Sequence, residues 1–509
     1  MKSILTSTKR AGMLCAALIL LAMTSCKKNK NNDTMDDAAG PDLQFYALAS
    51  NNVLLKLNAQ NVSNVVKQNP ITGLQSGETL LGIDFRPATG TLYGVGSSSR
   101  IYIINPETGS ARAVSTTAFT PAISGTAIGL DFNPTVDRLR LVTSTGQNLR
   151  LNPENGAVAA TDGVLNGVAN ANVTAAAYTM NRAGASSTVL FVIDVTTDKL
   201  YKQDPPNDGK LVEVGGLGFD VQQAGDFDIS ADGVSAIAAL QVGGKTNLYR
   251  IDLTNGKATK LKYVFGSTIL SIAIPTEPVA YAVNSGNELV IFNPMNPMPV
   301  TKPITGMAAT ETVLGLDFRP VNGQLYALGS TSRLYTINAS SGAATAVGTA
   351  VLTTLLSGTD FGFDFNPTVD RIRVVSNTGQ NLRLNPDNGA VAAVDGILSP
   401  GTPSVSAAAY TNNFAGATST VLYDIDTQSN RLFKQDPPNN GTLVEVGALG
   451  VSASSANGFD IGSTSGTAYA LLTAGGVTKV YTINLNTGAA TAGATVNGNF
   501  RAFTLGLGF

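Results

Sequence analysis

The stretch "LGIDFRPATGTLYGVGSSSRIYIINPETG", residues 81–109, returns as "LGLDFRPVNGQLYALGSTSRLYTINASSG", residues 314–342, at an offset of 233. Further along, "KQDPPNDGKLVEVGGLG" at 202–218 pairs with "KQDPPNNGTLVEVGALG" at 434–450, so the offset falls to 232 after one deletion. The chain is a tandem duplication, with one copy over 43–275 and a second over 279–509. A shorter period runs inside each copy. Asp84, Asn105 and Gly109 recur 47 residues on as Asp131, Asn152 and Gly156, and Asp317, Asn338 and Gly342 recur as Asp364, Asn385 and Gly389.

Each unit reads as four strands. A first strand ends in "GLDF" or "GFDF", an "RP" or "NP" turn leads to a "LYAL"-type second strand, a third reads "RLYTIN", and a fourth follows "TG" or "SG". The Asn-x-x-x-Gly spacing places a glycine where a short hairpin loop needs positive φ. Units of about 40 to 50 residues with four strands are the pattern of β-propeller blades. Each copy opens on a unit without a first strand ("FYALASNNVLLKLN", "VAYAVNSGNELVIFNP") and closes on a first strand without followers ("STILSIAI", "FRAFTLGLGF"). Such a strand can complete the opening unit and close a ring. The expected fold is all-β, two tandem five-bladed propellers, with one ten-bladed ring as the alternative.

Composition agrees with this class. The 509 residues include 53 glycines and only 13% charged residues, and Thr, Val, Ser and Asn are abundant, as in short strands joined by tight turns. No histidine occurs, which excludes imidazole acid–base chemistry, Ser-His-Asp and Cys-His catalysis, and zinc sites of the usual ligand types.

The N-terminus, "MKSILTSTKRAGMLCAALILLAMTSC", has a basic start, an apolar run over 11–23 and small residues before Cys26, the layout of an export signal over 1–25. "MTSC" resembles a bacterial lipobox, which implies cleavage before Cys26 and lipidation of its thiol. Residues 26–42 then read as a flexible tether, holding the copies off the membrane of the cell envelope, the outer membrane being the expected address. Without residues 1–25 the chain keeps 30 Lys and Arg against 35 Asp and Glu, a net charge of −5, which argues against nucleic acid as a partner. Cys15 would leave with the signal, so no disulfide or thiolate site remains.

One unit in each copy is chemically different. "DFNPTVDRLRLVTSTGQNLRLNP" at 131–153 and "DFNPTVDRIRVVSNTGQNLRLNP" at 364–386 carry Asp131, Asp137, Arg138, Arg140, Gln147, Asn148 and Arg150, and Asp364, Asp370, Arg371, Arg373, Gln380, Asn381 and Arg383. In the 47-residue register Arg140 replaces Tyr93 and Arg373 replaces Tyr326. Arginines on an inner strand need carboxylates or carbonyls, and Asp317, Asp364 and Asp460, at the ends of first strands near the central channel, are the expected suppliers. Two readings follow: an internal hydrogen-bond network, or a polar site at the channel mouth for a small anion, a glycan or a protein. Asp84, Asp228, Asp317 and Asp460 are candidate ligands for a hard cation such as calcium, although no calcium-loop run of acids occurs. "DPPN" at 204–207 and 436–439 reads as a rigid turn.

The combination of "DFNPTVDRxR", "TGQNLRLNP", "AAAYT", the "DPPN" turn, "LVEVG" and "FDI" resembles a bacterial domain family of unknown function that occurs in secreted and lipid-anchored proteins and is grouped with β-propellers. The resemblance spans 43–509 in two copies. It implies fold and address, and brings no catalytic residues. A lipid-anchored, non-enzymatic binding module is the leading expectation. A glycan-active enzyme working with carboxylates and a purely structural envelope protein are the alternatives.

Overall fold

The computed structural model describes residues 37–509, without the side chains of 455–457. The export signal and Cys26 lie outside the described residues. No helix among these residues is long and apolar enough to cross a membrane.

The described strands form ten four-stranded antiparallel sheets, five from each copy. In four sheets of each copy the strands follow chain order; in the first copy these start at Leu80–Arg86, Ile128–Asn133, Val173–Tyr178 and Gln223–Ile229. The fifth sheet in each copy is completed from the far end. Ile269–Ala273 pairs with Gln44–Ala49, and Phe500–Leu505 pairs with Ala280–Asn284. Both returning strands join the opening sheet of their own copy.

The lead strands lie side by side in cyclic order. In the first copy Leu80–Arg86 neighbours Ile128–Asn133, which neighbours Val173–Tyr178, then Gln223–Ile229, then Ile269–Ala273, which lies against Leu80–Arg86 again. Val313–Arg319, Phe361–Asn366, Val405–Tyr410, Ser455–Ile461 and Phe500–Leu505 repeat the cycle in the second copy. Glycine lets these strands approach. A Cβ on Gly129 would sit 2.7 Å from the backbone of Ala175 and Ala176, and one on Gly362 would sit 2.6 Å from the Ala408 Cβ.

Between sheets, a second-strand tyrosine packs edge-on against the next lead-strand phenylalanine. Tyr93 meets Phe132 at 5.3 Å, Tyr326 meets Phe365 at 5.2 Å, and Tyr281 meets Phe318 at 5.2 Å. At the hairpins the Asn-x-x-x-Gly motif works through its side chain. The Asn105 Oδ1 accepts the amides of Glu107 and Thr108, and Gly109 takes φ +76°.

Candidate functional site

The charged unit resolves into separate clusters. Arg373, 2% exposed, donates from Nε to the Tyr410 hydroxyl (3.2 Å), from Nη1 to Asn381 Oδ1 (2.7 Å) and Asp395 Oδ2 (2.6 Å), and from Nη2 to Asn439 Oδ1 (2.8 Å). Arg140 repeats the set with Tyr178, Asn148, Asp162 and Asn207. Arg150 and Arg383 reach the same carboxylates from the exposed side, each through a two-pronged contact. Burial acts to raise the Asp162 and Asp395 carboxyls, but the arginine hydrogen bonds and charges outweigh it and hold both below the usual carboxylate range.

The partners of Arg140 and Arg373 therefore differ from the sequence expectation. Asp162 and Asp395, just past the fourth strand, take the place assigned to the channel aspartates, because the guanidinium points outward along the sheet toward that edge. The "DPPN" turn has a second role, since its Asn207 or Asn439 closes the guanidinium shell. Gln147 and Gln380 belong to neither cluster; they pin the preceding loop by accepting from Ser124 and Ser357 amides and donating to Ala122 and Leu355 carbonyls. Arg138 and Arg371 donate to the carbonyls of Asp137 and Asp370.

Asp137 and Asp370 pair instead with Arg86 and Arg319, which the sequence reading passed over. Arg86 is fully buried, grips both oxygens of Asp137, reaches Glu154 Oε1 at 3.0 Å, and donates to the Gly323 carbonyl of the second copy at 2.8 Å. Arg319 holds Asp370 and Asp387 in a more open setting. The signal was there in "DFRP", where arginine stands in place of the asparagine of "DFNP" in the sister unit.

The channel aspartates have another role. The Asp84 Oδ1 accepts the Phe85 amide at 2.7 Å, and its Oδ2 accepts the Phe132 amide of the next lead strand at 2.7 Å. Asp317 does the same with Phe318 and Phe365, Asp228 with Ile229 and Ile274, and Asp460 with Ile461 and Leu505. Each carboxylate staples one lead strand to its neighbour. The arrangement brings carboxylate oxygens of Asp84, Asp131 and Asp228 within 4.8 Å of one another, and those of Asp317, Asp364 and Asp460 likewise. All six are at most 2% exposed. Burial, and in four of them repulsion from neighbouring aspartates, pushes their carboxyls above the ordinary range.

The two copies meet along the turns after the first lead strand. Besides the Arg86–Gly323 contact, the Tyr281 hydroxyl donates to the Ala88 carbonyl at 2.9 Å, and the Gly508 amide donates to the Thr89 carbonyl at 2.7 Å. Beside this seam lies a cleft of about 440 Å³ walled by both copies. Tyr46, Lys56, Arg112 and Thr276 line it from one side, Phe414 and Phe509 from the other. Lys56 pairs with Glu107; among the described residues the exposed Arg112 has no ion-pair partner, and the buried Thr276 hydroxyl no hydrogen bond.

No curated protein matches the chain in sequence. Among solved structures it is similar to PorZ, an essential surface component of the type-IX secretion system of Porphyromonas gingivalis, at 14% identity and a TM-score of 0.26, over 90% of this chain and 59% of that one. It is also similar to the extracellular domain of BT4673 from B. thetaiotaomicron, described as a one-component system, at 12% identity and a TM-score of 0.26, over 91% of this chain and 61% of that one. The chain thus spans about three fifths of the length of either, and likeness at this level carries no inference about function. The sequence itself is decisive on kinship: the family described as "Domain of unknown function (DUF4394)" matches residues 53–273 and again residues 288–505, and the chain belongs to that family as two tandem copies.

Proposed function

We propose that this protein is an exported, lipid-anchored binding protein of the bacterial cell envelope, built as two five-bladed β-propellers, with its ligand site in the cleft between them. The five-blade reading is supported by the cyclic order of lead strands within each copy and by the return of each last strand to its own opening sheet. A single ten-bladed ring would need those strands to cross between copies.

The observation that carries the binding role is the cleft. Its volume lies in the range of small-molecule sites, and such sites favour interfaces between domains. Aromatic walls at Tyr46, Phe414 and Phe509 suit an apolar body, while Arg112 and the Thr276 hydroxyl suit an anionic end. The ligand class is a small amphipathic organic anion. A carboxylate-based enzyme has less support, because the aspartate clusters are sealed from solvent and Glu107 in the cleft is held by Lys56 and Lys67.

The test is a thermal-shift and calorimetric screen of aromatic and aliphatic carboxylates against neutral glycans. Binding of an anion that Arg112→Ala weakens about tenfold, with stability unchanged, is the expected result. No binding by any class would leave the purely structural role. Membrane attachment is tested separately by fractionation: Cys26→Ser should release the protein from the membrane fraction, and unchanged attachment would refute the lipid anchor.

A further inference from the structure

The acidic clusters of the two copies are not equivalent. In the second copy the Thr504 hydroxyl lies 2.9 Å from both Asp317 Oδ1 and Asp460 Oδ2, bridging the two carboxyls, and Asp364 Oδ1 accepts the Tyr410 amide at 3.1 Å. The first copy has alanine at this position: Ala273 faces Tyr46 as Thr504 faces Tyr281, and it precedes the amide that Asp228 accepts as Thr504 precedes the one that Asp460 accepts. The nearby Ser271 hydroxyl, two residues earlier, goes to Asp226 Oδ2 at 2.8 Å. No hydroxyl bridges Asp84 and Asp228 there.

Two further differences concentrate negative charge in the first copy. Asp226 adds a fourth buried carboxylate where the second copy has Gly458, and it does so at φ +76°, a conformation that disfavours a side chain. Asp131, 1% exposed, has neither oxygen in a regular hydrogen bond, the Tyr178 amide acting on it only from a poor geometry, and an oxygen of Asp131 lies within 4.8 Å of oxygens of Asp84 and Asp228. Among the described residues no ion pair involves any of these four aspartates. A buried carboxylate so poorly satisfied must keep a proton or take a positive partner, and what separates Asp131 from a lone buried acid is that two further carboxylates converge with it on one space that a cation could fill.

We propose that the first copy binds one calcium ion among Asp84, Asp131 and Asp228, with Asp226 adding charge, and that the second copy, closed by the Thr504 bridge, binds none. Oxygens on opposite sides of a calcium ion lie about 4.6 to 5.2 Å apart, so the observed spacing accommodates the ion. Asp131 has neither oxygen committed to a regular hydrogen bond, and Asp84 and Asp228 keep a lone pair on each oxygen beyond the amide they accept. Magnesium fits less well, because it retains several waters and demands a tighter octahedron than sealed strands provide. Bound there, the ion ties three lead strands together at the axis of the first copy.

The experiment uses the full chain purified without chelator. Elemental analysis should find about one calcium per chain; removal with a chelator should lower the melting temperature, and calcium, but not equal magnesium, should restore it. Asp131→Asn should lose the ion, and Asp364→Asn should keep it. Should Asp131→Asn fail to fold, Asp226→Gly serves instead, since the sister copy already carries glycine; it should fold and bind calcium about tenfold more weakly. A metal-free protein whose melting temperature does not respond to millimolar calcium overturns the proposal, the carboxyls then being held by shared protons. Two calcium ions per chain, one lost in Asp364→Asn, overturns its assignment to the first copy.

Discussion

Arg86 and Arg319 occupy equivalent positions, and their surroundings set different energies. Arg86 is fully buried, and its loss leaves Asp137 and Glu154 facing each other without a cation beneath the seam between the copies. Arg86→Met should cost about 3 to 5 kcal/mol in chemical denaturation. Arg319 is 12% exposed and Asp387 is 66% exposed, so water can solvate what remains. Arg319→Met should cost about 1 kcal/mol. Equal costs would show that burial at the seam is not what separates them. Asp424 is the reverse case: it is fully buried with neither oxygen hydrogen-bonded, and its counterpart in the first copy, Val192, lies in an apolar cluster. Burial, only partly offset by the Arg373 charge, pushes its carboxyl up to about 8. The folded protein then holds a proton that the unfolded chain releases near pH 4, so this group's contribution to stability falls as pH rises from about 4 to about 8. Asp424→Val should raise stability by about 1 to 3 kcal/mol at pH 8 and by much less at pH 4. A variant no more stable than the parent at pH 8 would count against an unpaired carboxyl there.

At the scale of the element, the lead strand carries most of the fold's demands. Its glycine admits the neighbouring strand, its aspartate staples that neighbour's amide, and its phenylalanine receives a tyrosine from the sheet before. In the charged units the same position takes arginine, because the next lead strand offers a tyrosine hydroxyl (Tyr178 or Tyr410) and the sheet edge offers a carboxylate. The last lead strand of the second copy, Phe500–Leu505, contributes Thr504 and the amide that Asp460 accepts. Deleting residues 500–509 should abolish cooperative unfolding of the second copy while the first still melts as a unit, read by calorimetry. A truncated chain with the parent's full unfolding enthalpy would show that this strand does not complete the sheet.

Across the whole molecule, duplication and seam make opposite demands. Each copy has its own lead-strand cycle, so residues 43–275 and 279–509 expressed apart should each unfold in one cooperative transition. The first should be the more weakened, since Arg86 would lose Gly323 and meet water. Failure of both to fold would show that neither cycle is stable without the seam. The sequence by itself determined the duplication, the four-strand unit, the hairpin glycines and the strands that return to close each copy, because all of these are set by local periodicity and turn chemistry. It also marked Arg140 and Arg373 as exceptional by register alone. Only the tertiary structure decided their partners: Asp162 with Asn207, and Asp395 with Asn439, lie 22 and about 66 residues away and are brought together by the packing of adjacent sheets. The channel aspartates were legible as strand ends, yet their role depends on which amide the next strand presents. That amide belongs to a residue 45 to 48 positions along the chain, a separation at which no local pattern fixes contact.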